Sequence, residues 1–148
     1  MRMVIQRVSR AEVRVGGEVT GRVGAGLLLL VAVEKGDTES VLDWCSDKVL
    51  NMRIFEDSAG KMNRSVLEIR GEILVVSQFT LAADLTRGRR PGFEKAAPPS
   101  EAEPLYRALV ARLAASGLKV ETGRFREFMD VDLVNDGPVT FVLDGGGR

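Results

Sequence analysis

Met3-Val4-Ile5-Gln6-Arg7-Val8 is followed, after Ser9-Arg10, by Ala11-Glu12-Val13-Arg14-Val15, then by Gly16-Gly17 and Glu18-Val19-Thr20-Gly21-Arg22-Val23. The first segment reads as a half-buried strand, and the second alternates apolar and polar residues with period two. Gly16-Gly17 suits a two-residue hairpin turn, because both residues can take φ > 0. Residues 18–23 return as the partner strand. After Gly24-Ala25-Gly26, the run Leu27-Leu28-Leu29-Leu30-Val31-Ala32-Val33 reads as a strand covered on both faces. The first third is therefore expected to be a β-meander.

Beyond it the period changes. A helix is expected to start at Asp37 or Thr38, either of which can cap it. Val41, Cys45, Val49 and Met52, with Leu42 beside them, form its apolar stripe. Residues 53–55 read as a short strand ended by a turn over 56–60, and residues 65–69 and 73–79 as a strand pair around Gly71. Residues 80–99 are loop-like. Ser100-Glu101-Ala102-Glu103 matches a capping box. The second helix presents Ala102, Leu105, Tyr106, Leu109, Val110 and Leu113, with Gly117 as its stop. Val120, residues 131–133 and residues 139–143 read as closing strands, and residues 145–148 as a frayed tail. Many strands with two main helices give an α+β class. No linker or repeat divides the chain, so residues 1–148 are read as one domain.

Composition narrows the chemistry. The 148 residues include no histidine and one cysteine. That excludes histidine triads, a histidine general base and most catalytic zinc sites. Cys45 falls in the helical stripe and is read as a packed thiol. Lys+Arg and Asp+Glu both number 21, so the formal net charge is zero. An anionic partner must then be held by a local basic patch. The N-terminus has no signal-peptide core, and residues 27–33 fall far short of the ~20 apolar residues that span a bilayer. A cytoplasmic location is the expectation.

Two segments carry possible chemistry. Val76-Ser77-Gln78-Phe79-Thr80-Leu81 gathers hydroxyls, an amide and backbone N–H groups at a strand end. These can build an oxyanion hole, or simply make turn hydrogen bonds. Asn135-Asp136-Gly137-Pro138-Val139-Thr140 reads locally as a hairpin turn.

Together with Ile5-Gln6-Arg7-Val8-Ser9-Arg10-Ala11, Arg53-Ile54-Phe55-Glu56-Asp57, Gly60-Lys61-Met62-Asn63, Arg90-Pro91-Gly92-Phe93 and Leu105-Tyr106, these two strings resemble the D-aminoacyl-tRNA deacylases over nearly the whole chain. The resemblance implies a mostly antiparallel, barrel-like α+β domain that works as a homodimer with active sites at the subunit interface. It implies that Ser77, Gln78, Phe79 and Thr80 line the pocket for the aminoacylated 3′-terminal adenosine of tRNA, with Ala102 and Phe125 also lining it. Gly137-Pro138 of the other subunit would enter as a cis dipeptide, meet the substrate ammonium with its carbonyl oxygens and leave no room for an L side chain. A D-amino acid, or glycine, would still fit. Arg7 matches a position near that dipeptide. No cofactor or metal is implied. Catalysis would rest on backbone N–H groups near Phe79 and Thr80 and on the 2′-OH of the terminal ribose. Thr80 is ranked as an orienting residue ahead of a nucleophile, because no base stands beside it in sequence.

The stretch 126–128 and residue 92 depart from the pattern. Arg126-Glu127-Phe128 is bulkier and more charged than the small residues usual in relatives, which bears on substrate range. Gly92 stands where serine is frequent. RNA contact is assigned to Arg87, Arg89 and Arg90, supported by the arginine-rich residues 1–24. Asp130, Asp132, Asp136 and Asp144 offer a carboxylate or Mg²⁺ alternative, but their spacing matches no ligand set. The rival functions are an editing deacylase for L-alanyl-tRNA and a dimer that binds RNA ends without turnover.

Overall fold

β1 (Arg2–Val15) runs through both segments that the periodicity separates. Ser9-Arg10 offers no residue suited to φ > 0, so the chain bends instead of turning, with register shifts against its neighbour between Gln6 and Val8 and between Val8 and Arg10. The computed structural model describes residues 1–146. Gly16 and Gly17 make the expected hairpin, with φ of 56° and 82°, joining β1 to β2 (Glu18–Val23).

The expected β-meander does not form, because the long bent β1 offers an edge to both following strands. β3 (Gly26–Ala32) returns to lie antiparallel to residues 2–8 of β1 and not beside β2. Two further strands, β6 (Glu72–Ser77) and β7 (Val120–Thr122), add to its far side, each pairing in parallel. Parallel neighbours need a crossover connection. Helices α1 (Glu39–Asn51) and α2 (Pro99–Ala114) lie in those two crossovers. They pack against each other, and Arg112 ties Asp43 at 2.7 Å and also Glu39 across the seam. The sheet order is β2-β1-β3-β6-β7, and β2 closes toward β7. At Gly21 a Cβ would stand 2.4 Å from the Thr122 carbonyl oxygen. The result is the expected α+β architecture, a nearly closed and mostly antiparallel sheet with two helices.

The apolar run of β3 serves two cores. Leu27, Leu29 and Val31 pack toward the helices with Leu42, Val49, Leu109 and Leu113. Leu28 points the other way, into the barrel with Val8, Val13, Leu74 and Val76. This is why the stretch shows no alternation.

Several expectations are corrected. Residues 65–69 are not a strand; Ser65-Val66-Leu67-Glu68 is a capping box instead. Ser65 Oγ accepts from the Glu68 N–H at 3.1 Å and Glu68 Oε1 accepts from the Ser65 N–H at 3.2 Å. The short strand beside β4 (Phe55–Glu56) is β5 (Met62–Arg64). Ser100 does not cap α2. The helix starts at Pro99, whose fixed φ suits a first turn, and the Pro98 carbonyl accepts from Glu101 and Ala102. Asp37 does not cap α1, because its carboxylate takes the Met1 ammonium at 2.5 Å and the Glu34 N–H at 2.8 Å. Gly145 is not frayed: it is buried and donates to the Met1 carbonyl at 2.8 Å. Gly147 and Arg148 lie outside the described residues.

The largest correction concerns the end of the chain. Residues 131–133 and 139–143 belong to one strand, β8 (Asp130–Asp144), antiparallel to β1 along its length on the edge that β2 and β3 leave free. Residues 135–138 are not a hairpin but an irregular passage within this strand, and the Gly137-Pro138 peptide is cis. Among the described residues, no helix is long and apolar enough to cross a membrane.

Candidate active site

β6 ends at Ser77, and the Gln78 N–H donates to the Val31 carbonyl at 2.7 Å, extending the ladder by one step. The chain then enters a short 3-10 helix, Phe79–Ala82. The first N–H groups of such a turn have no acceptor inside it. Those of Phe79 and Thr80 find none elsewhere among the described residues. They lie at the end of β6, where Ser77, Gln78 and Phe79 border a cleft of about 590 Å³.

The opposite wall comes from α2 and the segment after β7. Pro99 and Ala102 line the cleft from the helix, and Phe125, Arg126, Phe128 and Met129 line it from the loop. Tyr106, one turn beyond Ala102, sets this wall. Its hydroxyl donates to the Val75 carbonyl at 2.9 Å and its ring lies 5.8 Å from that of Phe125. Burial pushes the Tyr106 phenol up to about 12, so it stays neutral and donates its proton. Phe79 is 56% exposed and packs on Phe93 at 5.2 Å between ring centres. The cleft is thus largely apolar, with a few polar groups at one end.

Thr80, expected to line the cleft with its three predecessors, is exposed beside it and does not line it, and its Oγ1 accepts from the Gln78 side-chain amide at 2.5 Å. No carboxylate or amine is bonded to this hydroxyl among the described residues. Cys45 is fully buried, and burial pushes its thiol up to about 11, so it offers no thiolate.

Gly137 and Pro138 are exposed and do not line the cleft of their own chain. They are held from behind by Arg7, only 7% exposed. Its Nε donates to the Asp136 carbonyl at 2.9 Å and lies 3.2 Å from Asp136 Oδ2, while a terminal nitrogen donates to the Ile54 carbonyl at 2.8 Å. The Asn135 amide donates to the carbonyls of Arg7 and Val139, both at 3.0 Å. A Cβ on Gly137 would sit 2.3 Å from the Val139 nitrogen and 2.5 Å from Asn135 Oδ1. No side chain fits there.

The remaining charges sort into two groups. Arg87, Arg89 and Arg90 are exposed, with no ion pair among the described residues, and they do not line the cleft. The N-terminal arginines are paired instead: Arg2 with Asp144 at 2.7 Å, Arg10 with Asp132 at 3.3 Å, and Arg14 and Arg22 with Glu12. With Asp136 facing Arg7, three of the four aspartates in the candidate carboxylate cluster are counter-ions across the β1–β8 ladder. Arg126, Phe128, Met129 and Phe93 are site neighbours that the periodicity does not reveal, because they sit on loops whose path depends on tertiary packing.

A family model described as D-Tyr-tRNA(Tyr) deacylase matches residues 4–144. The chain is 58% identical over 144 residues to a D-aminoacyl-tRNA deacylase of Symbiobacterium thermophilum, covering 97% of this chain and 95% of the relative. It is 53% identical over 148 residues to one of Geobacter sulfurreducens, covering 100% and 97%. Among solved structures it is similar to a c-Myc DNA unwinding element binding protein, with a TM-score of 0.93 and 39% identity, over 99% of this chain and 100% of that one. A probable eukaryotic D-amino acid tRNA deacylase shares the fold, with a TM-score of 0.85 at 18% identity over 96% and 97% of the two chains. With a family match spanning nearly all of β1 to β8 and relatives this similar over at least 95% of their length, the chain belongs to the D-Tyr-tRNA(Tyr) deacylase family.

Proposed function

We propose that this protein hydrolyses the ester bond of D-aminoacyl-tRNA, and of glycine mischarged on tRNA, releasing the amino acid and free tRNA as a proofreading step in the cytoplasm. The observation that carries the reading is an apolar cleft bordered by Ser77, Gln78 and Phe79, where the Phe79 N–H and, next along the chain, the Thr80 N–H have no acceptor among the described residues, in a chain of this family.

An aminoacyl ester is already activated, so the protein must chiefly position it and stabilise the oxyanion. The Phe79 and Thr80 N–H groups supply that stabilisation; one such donor is worth about 2.7–4 kcal/mol elsewhere. Ser77, Gln78, Ala102 and Phe125 hold the terminal adenosine and its ester. With no histidine in the chain, the ribose 2′-OH assists the attacking water. Thr80, bonded to the Gln78 amide, orients rather than attacks. No cofactor enters the scheme.

Selectivity follows from a second copy. Gly137 and Pro138 do not line their own chain's cleft, so their role in a cleft requires a partner subunit. β8 has no strand on its outer edge among the described residues, and it exposes Val134, Phe141 and Val142. A long apolar edge of this kind favours pairing with another chain. In the homodimer the Gly137-Pro138 carbonyls meet the substrate ammonium and crowd out an L side chain. Arg87, Arg89 and Arg90 hold the tRNA phosphates.

A non-catalytic nucleic-acid-binding reading has one observation in its favour, the name of the 39%-identical solved relative. Incubation with D-tyrosyl-, L-tyrosyl- and L-alanyl-tRNA separates the readings. Release from D-tyrosyl-tRNA alone is expected; release from L-alanyl-tRNA alone points to the other editing activity, and binding without release to the non-catalytic one. Thr80→Ala should lower the single-turnover rate by about tenfold, the worth of one orienting hydrogen bond; a loss of several orders of magnitude would make Thr80 the nucleophile. Replacing Arg87, Arg89 and Arg90 with alanine should weaken tRNA binding and reduce its salt slope by roughly 0.7–0.9 for each phosphate no longer neutralised. An unchanged slope would move the RNA surface elsewhere.

A further inference from the structure

The segment Arg124-Phe125-Arg126-Glu127-Phe128 has three features that ester hydrolysis leaves unused. It is a turn closed by the Glu127 N–H on the Arg124 carbonyl at 3.4 Å. Arg126, its third residue, has φ of 65°, a region that favours glycine and disfavours any residue with a Cβ. Phe128 is 98% exposed, the most exposed of the large apolar side chains among the described residues. Arg126 has no ion pair or hydrogen-bonded acceptor for its guanidinium among the described residues. Both side chains line the same cleft as Ser77 and Phe79.

A strained backbone and an uncovered ring are each unfavourable for the isolated chain, and the exposed Arg126 guanidinium beside them is free to take an anion. Their coincidence on one rim of a cleft points to a ligand that covers the ring and pairs with the cation. The occupant that fits is a nucleotide: a ring on which a base stacks, and a guanidinium within the same turn to take the adjoining phosphate. Phe125, earlier in the same turn, lines the cleft as well. A single strand that places its last nucleoside there can pass its preceding nucleotide across this rim.

We infer that Phe128 and Arg126 bind the penultimate nucleotide of the acceptor end, the ring stacking on its base and the guanidinium taking the phosphate that links it to the terminal adenosine. Glu127, on the same turn, sets a negative charge beside this path and limits how far the strand can swing. The inference rests on the deacylase reading of the cleft.

The test compares two substrates, D-tyrosyl-tRNA and D-tyrosyl-adenosine, which lacks the penultimate nucleotide. For Phe128→Ala, the ratio of kcat/KM on tRNA to that on the adenosine ester should fall about tenfold or more, through KM. An equal change on both substrates, or no change, overturns the inference. So does loss of the dimer on gel filtration, which would place Phe128 in the subunit contact. Arg126→Gly relieves the backbone, so its melting temperature should rise while KM for the tRNA rises and that for the adenosine ester does not. A higher melting temperature with unaltered KM overturns the phosphate contact. If the unsubstituted protein cleaves neither ester, the deacylase reading falls first and takes this inference with it.

Discussion

A buried guanidinium fixes the passage from which Gly137 and Pro138 are presented. Arg7 sits in the middle of β1, and its donors reach the Asp136 carbonyl on β8 and the Ile54 carbonyl before β4. Burying a charge is costly unless its donors are satisfied, so the position of these carbonyls is not free to drift. Stripping the guanidinium would leave two carbonyls short of donors, at about 1–3 kcal/mol for each that is buried. The Asn135 amide, bonded to the carbonyls of Arg7 and Val139, holds the same passage from the other side. Between these two grips Gly137 and Pro138 are presented outward from a strand otherwise laddered to β1.

The same central strand explains where the cleft lies. β1 carries β3 on one edge, β3 carries β6 in parallel, and the parallel pairing requires helical crossovers whose packing brings Ala102 and Tyr106 over the end of β6. The strand end, the free N–H groups of Phe79 and Thr80, and the apolar wall are consequences of one sheet order. The proposed site, built from backbone donors and a wall set by the Tyr106 phenol, calls for no imidazole. The absence of histidine and the inertness of the buried Cys45 thiol are both compatible with it.

Much of this is legible in the chain. The glycine hairpin, the double-sided β3 run and the two amphipathic helices follow from period and turn chemistry, whereas residues 77–80 read equally as an oxyanion hole or as an ordinary polar strand end until their resemblance to the deacylases is taken into account. What is not legible has physical reasons. Asn135-Asp136-Gly137-Pro138 has the chemistry of a hairpin, and only the long-range bonds from Arg7 and Asn135 reveal a passage within one strand. The capping box at Ser65-Val66-Leu67-Glu68 is present in the sequence but masked by its β-like neighbours. The parallel pairings of β6 depend on residues remote in sequence, and the path of residues 124–129 depends on Tyr106 and Phe125. Of the basic residues, exposure and pairing separate Arg87, Arg89 and Arg90 from the N-terminal arginines, and neither property can be read from charge order.

Selectivity in the proposed dimer rests on a cleft completed by the Gly137-Pro138 segment of a second copy. Two variants, mixed after joint unfolding and refolding, isolate that requirement: Ala102→Phe, which fills the cleft, and Gly137→Val, whose side chain has no space beside Val139 and Asn135. Each homodimer should be inactive on D-tyrosyl-tRNA. The mixture should recover about one quarter of the unsubstituted activity, because half of the dimers are hybrids with one intact site each. A mixture no more active than its parents, although hybrids form, would contradict a shared cleft.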